Sequence, residues 1–323
     1  CVSHGALGGV TGGPVEIPEE EITIGEALQE AGYTTCHIGK WHIGIGEKVP
    51  SKRGYDYDIA SNDFCCPINF FYPYSNESNR NNKRAAVPDL ENYGSEDFLT
   101  EAMSAEAVKF IARESKSEKP FFLNMNYYAV HTPIQAEKEK VEKYEKLRKE
   151  DAIHRNATYA GLVEHLDDGA GRILKAIKES GIEENTIVIF ASDNGGETGM
   201  GITDNFPLKE GKGSQYEGGY RVPLFIKWPG VTKGGTASDE RVIGIDYYPT
   251  ILKMAGVDGN ESHNKNVDGL DLTPLLRNPD AKLENRPLHF LRYLSLIHYK
   301  PENLTEKKRP CASIIKNNWK LLE

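Results

Sequence analysis

Apolar residues recur every three or four positions in several segments of this chain, which is the spacing of amphipathic helices. The first such segment follows Thr23-Ile24-Gly25-Glu26, which has the form of a helix capping box, and Gly32 is suited to the position after its last turn. A further helix is expected to have Asp246 as its N-cap. The pattern predicts helices over residues 98–114, 136–150, 154–180 and 246–255.

Short, nearly continuous apolar runs separate these helices and predict strands at residues 33–38, 120–126, 186–190 and 222–228. The runs at 120–126 and 186–190 are typical of strands buried within a parallel sheet. The alternation of strand and helix predicts an α/β fold with a doubly wound, mainly parallel sheet. After about residue 284 short strands and a polar loop predict a small antiparallel subdomain, so we expect a main domain over 1–284 and a C-terminal subdomain over 285–323.

Composition narrows the class of protein. The 323 residues carry a formal net charge of −9, an acidic balance that argues against a general nucleic-acid-binding protein. No apolar run approaches the roughly 20 residues that a membrane-spanning helix needs. The five cysteines include no CxxC pair and predict neither a zinc motif nor a disulfide framework.

Cationic and imidazole side chains follow two of the predicted strands. Lys40 and His42 come just after strand 33–38, and in an extended chain positions i and i+2 project to the same side. His131 comes just after strand 120–126. Ligands of open α/β sheets bind beyond the carboxyl ends of the strands, where such groups suit a tetrahedral oxyanion. A surface lysine and packed histidines remain the structural alternative.

Two glycine-rich clusters follow in the second half of the chain. In the run 192–196, the carboxylate of Asp193 and the amide oxygen of Asn194 are hard ligands suited to Ca²⁺ or Mg²⁺. Lys212 stands between two glycines and can approach an anion, although the spacing is not that of a P-loop. An Asx turn and a flexible basic loop are the alternatives. As a set, these groups can neutralise a dianionic ester, hold a cation and protonate a leaving oxygen.

These residues stand in strings that resemble the sulfatase family of the alkaline-phosphatase-like superfamily. The string from Ala31 to Gly44 is similar to the second sulfatase signature. The resemblance covers almost the whole chain and implies that residues 1–284 are the catalytic domain. Further strings follow in the family's order at residues 129–133, 191–195, 211–223, 247–252 and 318–321.

The resemblance implies hydrolysis of sulfate monoesters, with sulfated carbohydrates as the expected substrates, at a Ca²⁺ site with a formylglycine nucleophile. In the family, the residues that match Asp193 and Asn194 bind calcium, and Mg²⁺ is the weaker candidate. The residues that match Lys40 and Lys212 bind the sulfate oxygens.

The histidines take the remaining roles that the resemblance implies. The residue that matches His42 contacts and orients the nucleophile. The one that matches His131 lies on the leaving-group side and, with Lys212, is a candidate proton donor. His298 lies in a stretch where relatives present substrate-contacting residues, and a structural histidine is the alternative there.

The chain departs from the family at its start. It begins Cys1-Val2-Ser3-His4, and no Cys/Ser-x-Pro/Ala-x-Arg signature matches the family's nucleophile. We therefore expect the nucleophile and the remaining calcium ligands to lie in about 100 upstream residues, on grounds of domain size. We expect the fragment alone to be inactive.

Two other functions stay open at this point. One is a phosphodiesterase or phosphonate monoester hydrolase of the same superfamily. The other is a non-catalytic protein that binds sulfated glycans. The expected partner is a small-molecule or glycan sulfate ester, not nucleic acid, and the expected compartment is secreted, periplasmic or lysosomal. The sequence leaves the oligomeric state open.

Overall fold

The computed structural model describes residues 16–63, 66–75, 87–149, 153–291 and 312–323, so Cys1 and His298 lie outside the described residues. The described residues fall into two compact units. The first unit comprises those within 19–186 and 252–266, and the second those within 16–18, 187–251 and 267–323. The predicted boundary between 284 and 285 stays a prediction.

Helices and strands alternate along most of the described chain. Residues up to 186 form α1 (Ile24–Glu30), β1 (Thr34–Lys40), β2 (Tyr57–Asn62), α2 (Leu99–Glu114), β3 (Phe121–Asn126), α3 (Lys138–Leu147) and α4 (Ala157–Glu179). The chain continues through β4 (Val188–Ala191), α5 (Glu217–Tyr220), β5 (Leu224–Lys227), α6 (Tyr247–Ala255), α7 (Glu261–Asn264), α8 (Thr273–Arg277), β6 (Leu288–Leu291), β7 (Ala312–Lys316) and β8 (Trp319–Leu322). Within the described residues, no helix has the length and apolar character required to cross a bilayer.

The start of α1 confirms the predicted capping box. Thr23 Oγ1 accepts a hydrogen bond from the backbone N–H of Glu26 over 3.1 Å, and the Glu26 carboxylate accepts one from the backbone N–H of Thr23 over 2.7 Å. These two bonds satisfy N–H groups that have no partner inside the helix. Gly32 follows the helix end with a φ of 90°, a conformation that favours glycine.

The first unit contains a parallel sheet in the order β2-β1-β3. The central strand is β1, whose residues from Thr35 to Gly39 are buried. The sequence favoured a central position for strand 120–126, but in the described sheet β3 lies at one side of β1 and is partly buried. The strand β2 was not predicted, because Asp58, Ser61 and Asn62 interrupt its apolar pattern.

Three helices pack around one another in the first unit. Helix α2 packs on β1 and on α4, and α3 packs on α4. The aromatic ring of Phe98, at the N-cap of α2, stacks on the imidazole of His165 in α4, with ring centroids 3.9 Å apart. Both side chains are fully buried, so the histidine belongs to the core of this unit.

In the second unit, β4 and β5 pair antiparallel, with Val188 opposite Lys227 and Ala191 opposite Leu224. The sequence predicted that the strand at 186–190 is buried within the sheet. Phe190 is instead 42% exposed and Phe225 65% exposed. Among the described residues β4 pairs with β5 alone, which leaves these side chains with solvent contact.

The C-terminal part of the second unit confirms the predicted antiparallel element. Strands β6, β7 and β8 form one antiparallel sheet. The sequence predicted a single strand from Cys311 to Leu322, whereas β7 and β8 are two strands joined by a tight turn. Asn317 takes a φ of 52° in that turn, a conformation that asparagine tolerates better than most residues.

Asp246 directly precedes α6, the position predicted for its N-cap, and its carboxylate also bonds to other segments. A short 3₁₀ turn from Gly244 to Asp246 precedes α6, and the Asp246 carboxylate accepts the backbone N–H groups of Ile243 and Leu270 over 2.9 and 2.8 Å. The Arg286 guanidinium pairs with both carboxylate oxygens over 2.5 and 2.6 Å. Asp246 is fully buried, and it joins distant segments.

Candidate functional site

Lys40 stands at the carboxyl end of β1, where the backbone is held against β3. Gly39 has a φ of 100°, and a Cβ on it would lie 2.1 Å from the carbonyl oxygen of Asn126, so the position requires glycine. Asn126 Nδ2 donates to the carbonyl oxygen of Lys40 over 3.2 Å. These contacts fix the backbone from which the partly exposed Lys40 side chain extends.

His42 lies beyond the end of the strand. Its φ is 56°, a left-handed conformation that costs a non-glycine residue about 1 kcal/mol. The strand ends at Lys40, so the alternation argument that placed Lys40 and His42 on the same side does not extend to His42. Between them Trp41 is buried and donates its indole N–H to the carbonyl oxygen of Lys48 over 2.7 Å, which anchors this turn.

His131 follows the neighbouring strand. Since β1 and β3 are parallel partners, their carboxyl ends lie at the same edge of the sheet. The backbone N–H of His131 donates to the carbonyl oxygen of Tyr128 over 2.9 Å. Its Nδ1 lies 3.0 Å from the Thr132 hydroxyl and 3.2 Å from the Thr132 carbonyl oxygen. The first unit therefore carries Lys40, His42 and His131 after two neighbouring strands.

The sequence analysis missed His37, which supports this end of β1. The ring is fully buried; Nε2 donates to the carbonyl oxygen of Gly39 over 3.0 Å, and Nδ1 accepts from Asn124 Nδ2 over 3.1 Å. It contacts Trp41 edge-on at 5.0 Å between centroids. Burial lowers the pKa of His37 to about 4, so the ring is neutral near pH 7. A histidine inside an apolar strand was the only signal for it.

In the second unit, Asp193 and Asn194 form the turn after β4. The backbone N–H of Asn194 donates to Asp193 Oδ1 over 2.8 Å, and Asn194 Nδ2 donates to the carbonyl oxygen of Gly195 over 3.0 Å. The Ser192 hydroxyl donates to the carbonyl oxygen of Asn194 over 3.1 Å. Asp193 is exposed and Asn194 is partly buried.

The donor set of this turn fits a hard divalent cation. Asn194 uses its amide N–H₂ within the turn, which leaves its amide oxygen as a ligand atom. Asp193 offers carboxylate oxygen, and oxygen ligands of these two kinds suit Ca²⁺. Calcium takes about six to eight oxygens, so Asp193 and Asn194 would supply only part of such a shell.

The loop that carries Lys212 is joined to the same turn. The backbone N–H of Lys212 donates to the carbonyl oxygen of Gly196 over 2.9 Å. The sequence analysis missed Asn205, whose Nδ2 donates to the carbonyl oxygens of Gly196 and Glu210 over 3.0 and 2.9 Å, while its Oδ1 accepts the N–H of Gly196 over 3.0 Å. A lone asparagine in an aperiodic loop carries no sequence signal of this role.

Backbone contact also brings the segment after Lys212 onto the turn. The N–H of Gly195 donates to the carbonyl oxygen of Gly219 over 3.0 Å, and a Cβ on Gly195 would lie 1.7 Å from the carbonyl oxygen of Gly218. The structure thus brings Asp193, Asn194 and Lys212 onto two loops of the second unit that are bonded to each other.

A sequence profile of the sulfatase family matches residues 3–257. A second profile, described as the C-terminal part of N-sulphoglucosamine sulphohydrolase, matches residues 211–323. The first match covers well over half of the chain.

Known proteins of related sequence carry sulfatase names. A sulfatase of Formosa agariphila is 32% identical over 335 residues, covering 88% of this chain and 60% of the relative. N-acetylgalactosamine-6-sulfatase of Canis lupus familiaris is 32% identical over 295 residues, covering 85% of this chain and 52% of the relative. The chain thus spans between half and three fifths of the length of these relatives.

Solved structures agree with the sequence matches. The crystal structure of Ps i-CgsB superposes with a TM-score of 0.78 at 31% identity, covering 97% of this chain and 67% of that one. The same protein in complex with k-i-k-neocarrahexaose gives a TM-score of 0.77 at 31% identity, with coverage of 97% and 68%. The chain therefore belongs to the sulfatase family, within the alkaline-phosphatase-like superfamily.

Proposed function

We propose that this protein hydrolyses sulfate monoesters, with sulfated carbohydrates as its natural substrates and aryl sulfates as substrates in vitro. One observation carries the proposal: the loop with Lys212 is hydrogen-bonded to the turn that offers Asp193 and Asn194. These hydrogen bonds support the proposal that Lys212, which can bind sulfate oxygens, acts together with oxygen ligands that can hold a divalent metal. Sulfate ester hydrolysis needs that pairing because negative charge develops on oxygens near the metal.

The lysines stabilise the anion in this proposal. Lys40 and Lys212 bind the nonbridging sulfate oxygens, and each is carried by a backbone that hydrogen bonds hold in place. Such preorganised positive charge is usually the largest contribution to catalysis, because no reorganisation is needed when the transition state forms.

The histidines handle the nucleophile and the leaving group. His42 orients the nucleophile. His131 protonates the departing alcohol, with Lys212 as the second candidate donor. Because Thr132 contacts Nδ1 of His131, we assign the proton transfer to Nε2.

Asp193 and Asn194 would hold Ca²⁺, with Mg²⁺ as the less suitable ion, as part of a larger set of oxygen ligands. When bound, the cation supplies positive charge that stabilises the sulfate oxygens and the nucleophile. His298, the remaining candidate for substrate contact, lies outside the described residues.

The relatives support a glycan as the substrate class. One relative is named N-acetylgalactosamine-6-sulfatase, and a similar structure holds k-i-k-neocarrahexaose. We extend this class to the present protein as a proposal, together with a secreted, periplasmic or lysosomal compartment.

The test compares esters on one preparation of the full-length protein with Ca²⁺ present. Release of sulfate from a sulfated oligosaccharide and from 4-nitrophenyl sulfate is expected to exceed turnover of a matched phosphate diester and a phosphonate monoester. Preference for a phosphorus ester would replace the proposal with the phosphoryl hydrolase alternative. Binding of the sulfated glycan without release of sulfate would identify a non-catalytic binding protein.

A further inference from the structure

One face of the C-terminal antiparallel sheet packs on the segment that follows Lys212. Phe290 in β6 and Ser313 in β7 stand directly opposite each other in the register, so their side chains lie on the same face of the sheet. Lys320 in β8 lies on that face too, because it is paired with Ile315, two positions along β7 from Ser313. Ser313 and Ile315 are buried, so this is the face that the sheet turns away from solvent.

A buried hydrogen bond joins β7 to the segment after Lys212. The Ser313 hydroxyl donates to Gln215 Oε1 over 3.2 Å, although 98 residues separate the two in the chain. Both residues are only 5% exposed. Loss of one partner would leave the other buried without this bond, which makes such a contact costly to break. Gln215 is three residues after Lys212, so the bond restrains the backbone close to the lysine.

Aromatic and cationic contacts hold the far end of the same segment. The Phe290 ring stacks on Tyr220, the last residue of α5, with centroids 4.2 Å apart and an interplanar angle of 15°. Lys320 Nζ lies 4.8 Å from the centroid of the Tyr220 ring and 5.9 Å from that of Tyr216, within the range of cation–π attraction. Side chains from β6, β7 and β8 therefore contact both ends of residues 215–220.

The loop around Lys212 needs such contacts because its own backbone is permissive. Lys212 stands between Gly211 and Gly213, and glycine leaves a backbone more conformational freedom than any other residue. The hydrogen bond from the N–H of Lys212 to the carbonyl oxygen of Gly196 restrains the loop from one side. A cation that stabilises a transition state must already be in place when the charge develops. The contacts of residues 215–220 supply the restraint from the other side.

We propose that Ser313 and Phe290 are positioning residues for Lys212. By holding residues 215–220, the C-terminal sheet keeps the ammonium group of Lys212 where it can bind the sulfate oxygens. The inference rests on the proposed function, because it concerns the same lysine. A displacement of about 1 Å at a reacting group can cost about 100-fold in rate, so partial loosening of the loop is expected to lower kcat measurably.

A double-mutant cycle tests whether Ser313 acts through Lys212 in the full-length protein. On a sulfated oligosaccharide, Ser313→Ala is expected to lower kcat about tenfold in the wild-type background. In the Lys212→Ala background the loss should be less than about twofold, because no ammonium group remains to be positioned. Phe290→Leu, which removes the ring stack but keeps much of the apolar volume, should behave in the same way. Thr250→Val is the matched control, because it also removes a buried hydroxyl of the second unit, one that accepts the N–H of Leu272 over 2.9 Å, and it should leave kcat nearly unchanged.

Amide hydrogen exchange gives a second readout that needs no turnover. Exchange of the backbone N–H groups in residues 211–220 should become about fivefold faster or more in Ser313→Ala and Phe290→Leu, but not in Thr250→Val. Unchanged exchange in the first two variants would overturn the inference, and so would equal fold-losses of kcat in the two backgrounds. A wild-type protein without turnover would contradict the proposed function instead, and the exchange rates would then decide the inference.

Discussion

Gly195 and Gly218 lie in direct backbone contact, so that a methyl group on Gly195 would stand 1.7 Å from the carbonyl oxygen of Gly218. The contact fixes the turn that carries Asp193 and Asn194 against the segment after Lys212. No side chain can move aside to relieve the overlap, because both partners are backbone.

Gly195→Ala should therefore destabilise the protein by about 1–3 kcal/mol, as expected for overpacking, and weaken calcium binding as the turn shifts. Chemical denaturation and a calcium titration measure the two effects. Gly171→Ala is the matched control, because a Cβ on Gly171, in the middle of α4, meets nothing within 4 Å. That change should stabilise by about 0.5–1 kcal/mol. Similar stability of the two variants would show that the backbone contact is absent.

Asn205→Asp should separate the two loops of the second unit. The carboxylate cannot donate to the carbonyl oxygens of Gly196 and Glu210, which leaves both without this partner and costs about 2 kcal/mol or more. Since Asn205 is a positioning residue, kcat should fall in the full-length enzyme while the pH profile keeps its shape. Asn266→Asp, at an exposed bond to Ser262, is the control and should leave both properties nearly unchanged. Normal kcat in Asn205→Asp would remove this residue from the account.

Asp246→Asn should be among the most destabilising single-atom changes in the chain. It removes the charge that pairs with Arg286 in a fully buried position, and breaking a buried pair costs about 3–5 kcal/mol. Urea denaturation gives the value. The exposed pair between Lys265 and Glu261, 2.8 Å apart, offers the comparison: Glu261→Gln should change stability by about 0.5 kcal/mol or less. Equal effects would mean that the Asp246 carboxylate is not buried as described.

The sequence predicted those elements that depend on interactions between residues close together in the chain. Thr23 and Glu26 are three residues apart, and their capping box follows from propensity alone. Asp246 shows the limit: its partners Leu270 and Arg286 are 24 and 40 residues away, so no local pattern could distinguish it from an ordinary N-cap.

Part of the candidate site was likewise predicted from the sequence, and part was not. Asp193 and Asn194 were proposed as ligands because they directly follow a predicted strand, and Lys212 was proposed because it stands between two glycines. Asn205 and His37 were not predicted as positioning residues. Both donate to backbone carbonyl oxygens, and only the fold determines which carbonyl groups lie within reach. The left-handed backbone at His42 escaped notice too, since β1 gives no sign of where it stops being extended.

The stability of the fold should fall as the pH is lowered from about 6.5 to 4. Burial lowers the pKa of His37 to about 4, and burial followed by the Lys140 charge does the same for His165. Below about pH 6.5 both rings become protonated in the unfolded chain, but the folded chain keeps them neutral until about pH 4, so the unfolded state binds more protons and is favoured in acid. Each ring contributes about 1.4 kcal/mol per pH unit well inside this window.

Urea denaturation at several pH values measures that slope. His37→Gln should remove the contribution of one ring. The free energy of unfolding of the variant should therefore change less than that of the wild type between pH 6 and 4. An identical slope in the variant and the wild type would show that His37 is not held neutral by the fold.

We propose that Lys40 and Lys212 both act in sulfate ester hydrolysis. The most direct measurement is kcat/KM of the full-length protein on a sulfated oligosaccharide for Lys40→Ala, Lys212→Ala and the exposed control Lys233→Ala. Loss of one oxyanion partner predicts a fall of about 100-fold or more in each of the first two variants and no change in the control. Wild-type turnover in either Lys40→Ala or Lys212→Ala would contradict the account.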